Sequence, residues 1–477
     1  MISVAYIDPG NYSTDIAAGA SYRFQLLFVV FVSNLFAIVL QGLAVRLGTV
    51  TGLDLAAACR AHCPAWLNYG LYGLAEVAII ATDIAEVIGT AVAINLLVPA
   101  VPLVAGCLLS ILDVMAILFF YRPDGAMTGL RFFEAFVSLL VVGVIVCFAI
   151  QLSLLRDAPA AAVFRGFLPS GALVQAQGLY QACGILGATV MPHSLYLGSG
   201  IVQPRLREYD GAHGLLAGGV VSAAAPRAPA EADDDDDDDS GKDVYIPSLA
   251  AIRHSLKYSI TELTLSLFCF ALFVNSAILI VAGASLYGVP DAVDADIFKI
   301  HDLLSRSISP GAGTVFALAL LLSGVSAGIV CTIAGQMVSE GALRWRMRPW
   351  LRRLVTRSIS ITPSIVVAGS VGRPGLNAAL NASQVVLSIV LPFVTFPLIY
   401  FTSRTRFMTV RPPPPPPSSP RAAAAAGDDE EEAHREDDAQ GIDMSNPWWL
   451  IAAAALVWLV IAVMNVANLV LLGKGKA

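Results

Sequence analysis

Asp8-Pro9-Gly10-Asn11 and Met191-Pro192-His193-Ser194 are the two stretches on which the reading of this chain turns. Each interrupts a long apolar run, and in each the proline takes the second of four places. A proline there removes a backbone hydrogen bond and frees carbonyls, those of Ala5 and Ala188, where lipid cannot satisfy them. Such backbone persists in a bilayer only around a polar cavity or inside protein. A pair of simple proline kinks is the plainer alternative. Asp8 and His193 argue against it, because a charged or polar side chain at bilayer depth costs ~2–3 kcal/mol that a kink does not require.

Composition makes these runs membrane spans. The 477 residues are 56% hydrophobic and 14% charged, with a mean hydropathy of +0.71, whereas soluble domains are roughly 25% charged. A soluble globular fold is excluded. The apolar runs predict eleven helices, at about 2–20, 24–47, 71–98, 101–121, 131–155, 178–202, 259–287, 313–340, 354–371, 383–402 and 447–472. With a cytoplasmic N-terminus, 21 of the 29 lysines and arginines fall in cytoplasmic loops, as the positive-inside rule requires.

The net charge of −7 comes from two segments. Residues 231–243 hold nine acids against Lys242, and 428–438 hold eight against Arg435, so the membrane body is left at +8. The surrounding stretches 203–258 and 411–440, rich in alanine, proline and aspartate, are expected to be disordered cytoplasmic loops. Asn381-Ala-Ser383 is a glycosylation sequon close against a predicted helix. The seven cysteines show neither a disulfide framework nor a zinc spacing, and Cys59 and Cys63 read as reduced thiols. No nucleic-acid motif is present, and no nucleophile, base and orienting group can be placed together, so the chain does not read as an enzyme.

The two interruptions fall in the first helices of two successive five-helix sets. Five being odd, the second set is inverted relative to the first. The predicted fold is therefore an all-α integral membrane protein with a LeuT-like 5+5 inverted repeat, broken helices 1 and 6, and an eleventh helix. Residues 1–155 form the first repeat and 178–402 the second, with 447–472 appended. Between the breaks the chain offers a hard anionic oxygen (Asp8), an amide oxygen (Asn11), the carbonyls of Ala5 and Ala188, and a thioether (Met191). Magnesium and calcium prefer all-oxygen sites, so the sulfur favours ions such as Mn²⁺, Fe²⁺ or Co²⁺. As an isolated residue, Met191 would read as a packing methionine.

These residues resemble a known family. Asp8-Pro9-Gly10-Asn11 with Ala188-x-x-Met191-Pro192-His193 looks like the paired signature of the NRAMP family of proton-coupled divalent metal transporters. The likeness extends to Asp83-Ile84-Ala85-Glu86-Val87-Ile88-Gly89, Phe273-Val274-Asn275, Ala334-Gly335-Gln336-Met337, Ser383-Gln384-Val385 and Leu391-Pro392-Phe393, and is most like fungal members. The resemblance implies that Asp8, Asn11 and Met191 are metal ligands, joined by the carbonyls of Ala5 and Ala188 and by Gln384. It also implies a proton path through Asp83, Glu86 and His193. The spacing of Asp83, Glu86 and Glu76 on one helical face suits that role, since neighbouring intramembrane acids couple their titrations. Asn275, Glu134 and Gln336 are second-rank candidates, equally readable as interhelical hydrogen-bonding groups.

The resemblance implies no resident cofactor: Mn²⁺ or Fe²⁺ and H⁺ are transported substrates, and the lipid bilayer is the other partner. The expected function is symport into the cytoplasm by alternating access, in the plasma membrane or an endosomal or vacuolar membrane. The alternatives are a LeuT-like carrier of an organic cation or amino acid, and a non-transporting metal sensor. Three departures stand out. Gly198 occupies the place of a second histidine found in many relatives, and Val325 that of a glutamine. Seven residues before Asp8 reach only ~10 Å at 1.5 Å per residue, so a longer N-terminal segment is expected to precede Met1.

Overall fold

Apolar runs too long to fold back within a bilayer become helices because only a helix satisfies every backbone group internally. The computed structural model describes residues 5–110, 112, 127–155, 158–215, 245–289, 297–343, 349–370, 372–410 and 441–474. Its helices are α1 (Pro9–Tyr22), α2 (Leu27–Thr51), α3 (Leu55–His62), α4 (Ala65–Leu97), α5 (Leu103–Leu109), α6 (Met127–Leu154), α7 (Ala160–Gly166), α8 (Ala176–Thr189), α9 (Pro192–Gly200) and α10 (Gln203–Ala212). They continue as α11 (Leu249–Ser266), α12 (Leu272–Ser285), α13 (Ile297–Ser307), α14 (Pro310–Leu343), α15 (Pro349–Ser370), α16 (Arg373–Thr402), α17 (Thr405–Met408) and α18 (Trp448–Gly473). A π-helical turn at Leu267–Ala271 joins α11 to α12 into one span. Among the described residues eight helices are long and apolar enough to cross a membrane, and the chain is a multi-pass membrane protein. Of the predicted fourth helix, 101–121, residues 111 and 113–121 lie outside the described residues.

The first and sixth predicted spans are broken. Residues 5–6 form a short helical turn, and α1 begins anew at Pro9 with Asp8 as its N-cap. Likewise α8 stops at Thr189 and α9 starts at Pro192 with Met191 as N-cap. Proline suits both starts, because the first N–H of a helix has no partner within it. Thr14 packs at Gly184, Ser21 Oγ accepts from Gln181 Nε2 at 3.1 Å, and the Tyr22 hydroxyl lies against Gly178. α8 therefore runs down toward its break as α1 rises from its own. This antiparallel pairing is what the inverted repeat demands, and the architecture is LeuT-like, with α18 appended. α18 turns Leu456, Leu459, Val463 and Val466 outward and holds α16 through Trp458 Nε1, which donates to Pro392 O at 2.9 Å.

One expectation is corrected. The stretch 203–258, read as disordered throughout, is helical at both ends, in α10 and the first turns of α11. Asp210 ties these ends together: its buried carboxylate accepts from Tyr245 Oη at 2.6 Å and from Ser248 N at 3.0 Å. The composition signal came from the acidic centre, and residues 216–244 lie outside the described residues, as do 411–440. The sequon residue Asn381 lies within α16, half-buried, and its Oδ1 accepts from Ser13 Oγ of α1 at 2.6 Å.

Candidate functional site

The two breaks meet. Tyr6, just before the first, reaches Ser194, just after the second, with Oη and Oγ 3.1 Å apart. Gln41 of α2 clamps both, its Nε2 donating to Tyr6 Oη at 2.9 Å, Ser194 O at 2.8 Å and Ser194 Oγ at 2.9 Å. From the third side Gln384 of α16 lies against Gly10, where any side chain would displace it, while its own backbone carbonyl touches Gly187 of α8. The predicted ligands Asp8, Asn11, Met191, Ala5, Ala188 and Gln384 are all buried around this junction.

Local geometry leaves these groups with oxygen to spare. Asp8 Oδ1 caps α1, accepting from Asn11 N at 2.9 Å and from Asn11 Nδ2 at 2.8 Å. Among the described residues Asp8 Oδ2, Asn11 Oδ1, Gln384 Oε1 and Asn275 Oδ1 are buried with no hydrogen-bond partner. The carbonyls of Ala5 and Ala188 stand four residues before Pro9 and Pro192, which carry no N–H to meet them. No cationic side chain hydrogen-bonds to this cluster of acceptors among the described residues. Buried acceptors without donors call for a positive charge, and Met191, 1% exposed, is the N-cap residue at the second break, which meets the first through Tyr6 and Ser194. The chemistry of such a donor set suits a borderline-soft divalent cation.

The other carbonyls of the first break are tied down. Tyr6 O accepts from Asn11 Nδ2 at 3.1 Å and from Asn275 Nδ2 at 3.2 Å, and Ile7 O accepts from Ser323 Oγ at 2.8 Å. Asn275 therefore belongs to the site, as a brace and a spare oxygen. His193 follows Met191, and its Nδ1 lies 3.3 Å from Thr82 Oγ1, next to Asp83. Asp83 and Glu86 are both buried in α4.

Glu134 and Gln336 are not brought to the junction. Glu134 lies 3.7 Å from Arg205, which also pairs with Glu262 at 2.7 Å in a part-exposed cleft. Gln336 Nε2 donates to Glu340 Oε1 at 3.0 Å, one turn along α14. Nearby, outside the spans, Asp54 caps α3 through Ala57 N at 2.8 Å, and burial pushes its carboxyl up to about 6 against the pull of that N–H.

Sequence reasoning missed Tyr6, Gln41, Ser194 and Ser323 as the clamp. Their residue types carry no signal, since a single serine or glutamine in an apolar run reads as an interhelical contact. Asp15, two turns beyond Asp8 on α1, was missed as well; it is fully buried and neither carboxylate oxygen has a partner among the described residues. The structure also explains Gly198. Gln41 fills the space into which a side chain at 198 would project, so the clamp stands where a second histidine would be.

Known proteins share this sequence and frame. The family profile described as "Natural resistance-associated macrophage protein-like" matches residues 1–411. The chain is 49% identical to manganese transporter SMF1 of Saccharomyces cerevisiae, over 99% of this chain and 84% of that one. It is 51% identical to iron transporter SMF3 of the same yeast, over 86% and 81%. A solved mutant of the Eremococcus coleocola manganese transporter superposes with a TM-score of 0.72 at 29% identity, covering 97% of this chain and 83% of that one. The chain belongs to the natural resistance-associated macrophage protein (Nramp) family, whose members are metal transporters and not enzymes.

Proposed function

We propose that this chain is a proton-coupled symporter that carries Mn²⁺ or Fe²⁺ into the cytoplasm by alternating access. The observation that carries the reading is the meeting of two helix breaks around Met191 and the partnerless buried oxygens of Asp8, Asn11 and Gln384. In this reading Asp8 supplies the charge, Asn11, Gln384 and the carbonyls of Ala5 and Ala188 complete the shell, and Met191 rejects the hard ions Ca²⁺ and Mg²⁺. The proton route runs from the cradle through His193 to Asp83 and Glu86; the contact of His193 with Thr82, beside Asp83, supports it. A cytoplasmic N-terminus rests on the loop charges, whereas inward direction and a plasma, endosomal or vacuolar membrane rest on the likeness to the family.

The test is Mn²⁺ uptake into proteoliposomes with and without an inward pH gradient. Uptake stimulated by the gradient is the expected result. Uptake indifferent to it would reject proton coupling, and Mn²⁺ binding lost in the wild type would reject the ligand set.

A further inference from the structure

Cys331 of α14 plays no part in the cradle or the proton route, yet it stands beside the two acids of that route. One ligand atom each of Asp83, Glu86 and Cys331 lie within 4.8 Å of one another, and all three residues are buried. Helix packing puts them there. α14 crosses α4 on small residues, with Gly335 against Ile79 and Gly324 against Thr90 and the carbonyl of Glu86, so Cys331 falls at the level of Asp83. Its thiol donates to Ile79 O at a long 3.8 Å, a weak contact that a metal bond would replace.

We propose that Asp83, Glu86 and Cys331 form a second metal site, separate from the cradle and selective for thiophilic divalent cations such as Zn²⁺ and Cd²⁺. One thiolate and two carboxylates from two rigid helices make a three-ligand set of the kind zinc accepts, with a further position left for water or a neighbour. The cradle offers a neutral thioether, whereas this cluster offers a sulfur that becomes an anion on binding, releasing its proton. The site therefore ranks soft ions above Mn²⁺ more steeply than the cradle does. The functional consequence rests on the proton route proposed above: an ion seated here occupies both carboxylates and blocks proton transfer, so thiophilic cations inhibit from a site they are not carried through.

Binding is tested without transport. In the purified protein with Asp8→Ala, which disables the cradle, Cd²⁺ titration is expected to raise an ultraviolet sulfur-to-cadmium charge-transfer band. Adding Cys331→Ser should remove one equivalent of Cd²⁺ and its share of the band, while any contribution of Cys59 and Cys63 cancels between the two proteins. Superimposable titrations would overturn the proposal. Cys331→Ala serves equally if the serine variant does not fold. In proteoliposomes Cys331→Ser alone should keep Mn²⁺ uptake but need at least ~10-fold more Cd²⁺ or Zn²⁺ to inhibit it, since losing a direct ligand costs no less than losing an outer-shell partner. An unchanged inhibition curve with an altered titration would retain the site and overturn its inhibitory role, whereas failure of gradient-driven uptake leaves the titration unaffected.

Discussion

The two helix breaks use the same device, a proline at the first position of a restarted helix, but they are held differently. The first carries the charge; Asn275 and Ser323, from α12 and α14, secure its carbonyls Tyr6 O and Ile7 O from outside, while Asp8 is locked to Asn11 in its own next turn. The second carries the sulfur and is held mainly by its own next turn, with Ser194 Oγ donating to Met191 O at 2.7 Å and Ser194 N at 3.2 Å. Gln41 and Tyr6 reach Ser194 from other elements and Thr82 of α4 reaches His193, but Met191 O is bonded by its own next turn. Met191 itself has no side-chain cap bond. A buried carboxylate is costly unless every neighbouring dipole is placed for it, whereas a thioether asks little of its surroundings. The difference teaches that the backbone carbonyls beside the charge are fixed by the tertiary frame, and the carbonyl beside the sulfur by the local turn.

The largest effect that would break this comparison is at Asp8. Asp8→Ala should lower Mn²⁺ uptake by more than ~100-fold, since a metal ligand matters more than the outer-shell partners whose loss costs 10–100-fold; near-normal uptake of radiolabelled Mn²⁺ would remove Asp8 from the site. Met191→Ala should keep transport but narrow the preference for Mn²⁺ over Ca²⁺ by ~10-fold, because the remaining ligands are all oxygens. Competition assays read this directly, and an unaltered Ca²⁺ profile would make Met191 a packing residue.

Smaller effects sharpen the contrast between the breaks. Ser323→Ala leaves Ile7 O without its donor and should cost ~1–3 kcal/mol in thermal unfolding. Ser194→Ala should cost less, ~0.5–1.5 kcal/mol, because Ser194 N still donates to Met191 O and Gln41 Nε2 keeps Tyr6 Oη and Ser194 O as acceptors. Equal losses would mean that the two breaks are held alike. Gly198→Ala should cost least, about 1 kcal/mol or below, since only the flexible end of Gln41 must move. A larger drop in melting temperature would show that Gln41 has no alternative pose and is the rigid link between the breaks.

Much of the frame was legible from order and spacing. Asp8-Pro9 and Met191-Pro192 located both breaks, because a proline inside an apolar run states which carbonyl, four residues back, loses its donor. The helices α2, α6, α14 and α18 fall within a few residues of the expected spans, since length and hydropathy suffice for a bilayer crossing. The early start of α4 at Ala65 was hidden by Trp66 and Tyr69, exposed aromatics of the kind that gather at a membrane interface. Glu134 was legible only as an acid in an apolar run; that its partner would be Arg205, from the far side of the α9 turn, depended on packing.

The sequence by itself determined that the chain spans a membrane, that two helices are broken at matching places, and which ligand chemistry the breaks carry. Periodicity, proline and side-chain type are local properties, and the bilayer imposes the rest. Only the tertiary structure decided which buried oxygens are left without donors, that Gln41 joins the two breaks across the space at Gly198, and that Cys331 stands with Asp83 and Glu86. These are meetings of residues far apart in the chain, and they follow from how closely small residues let helices approach, which no single helix records.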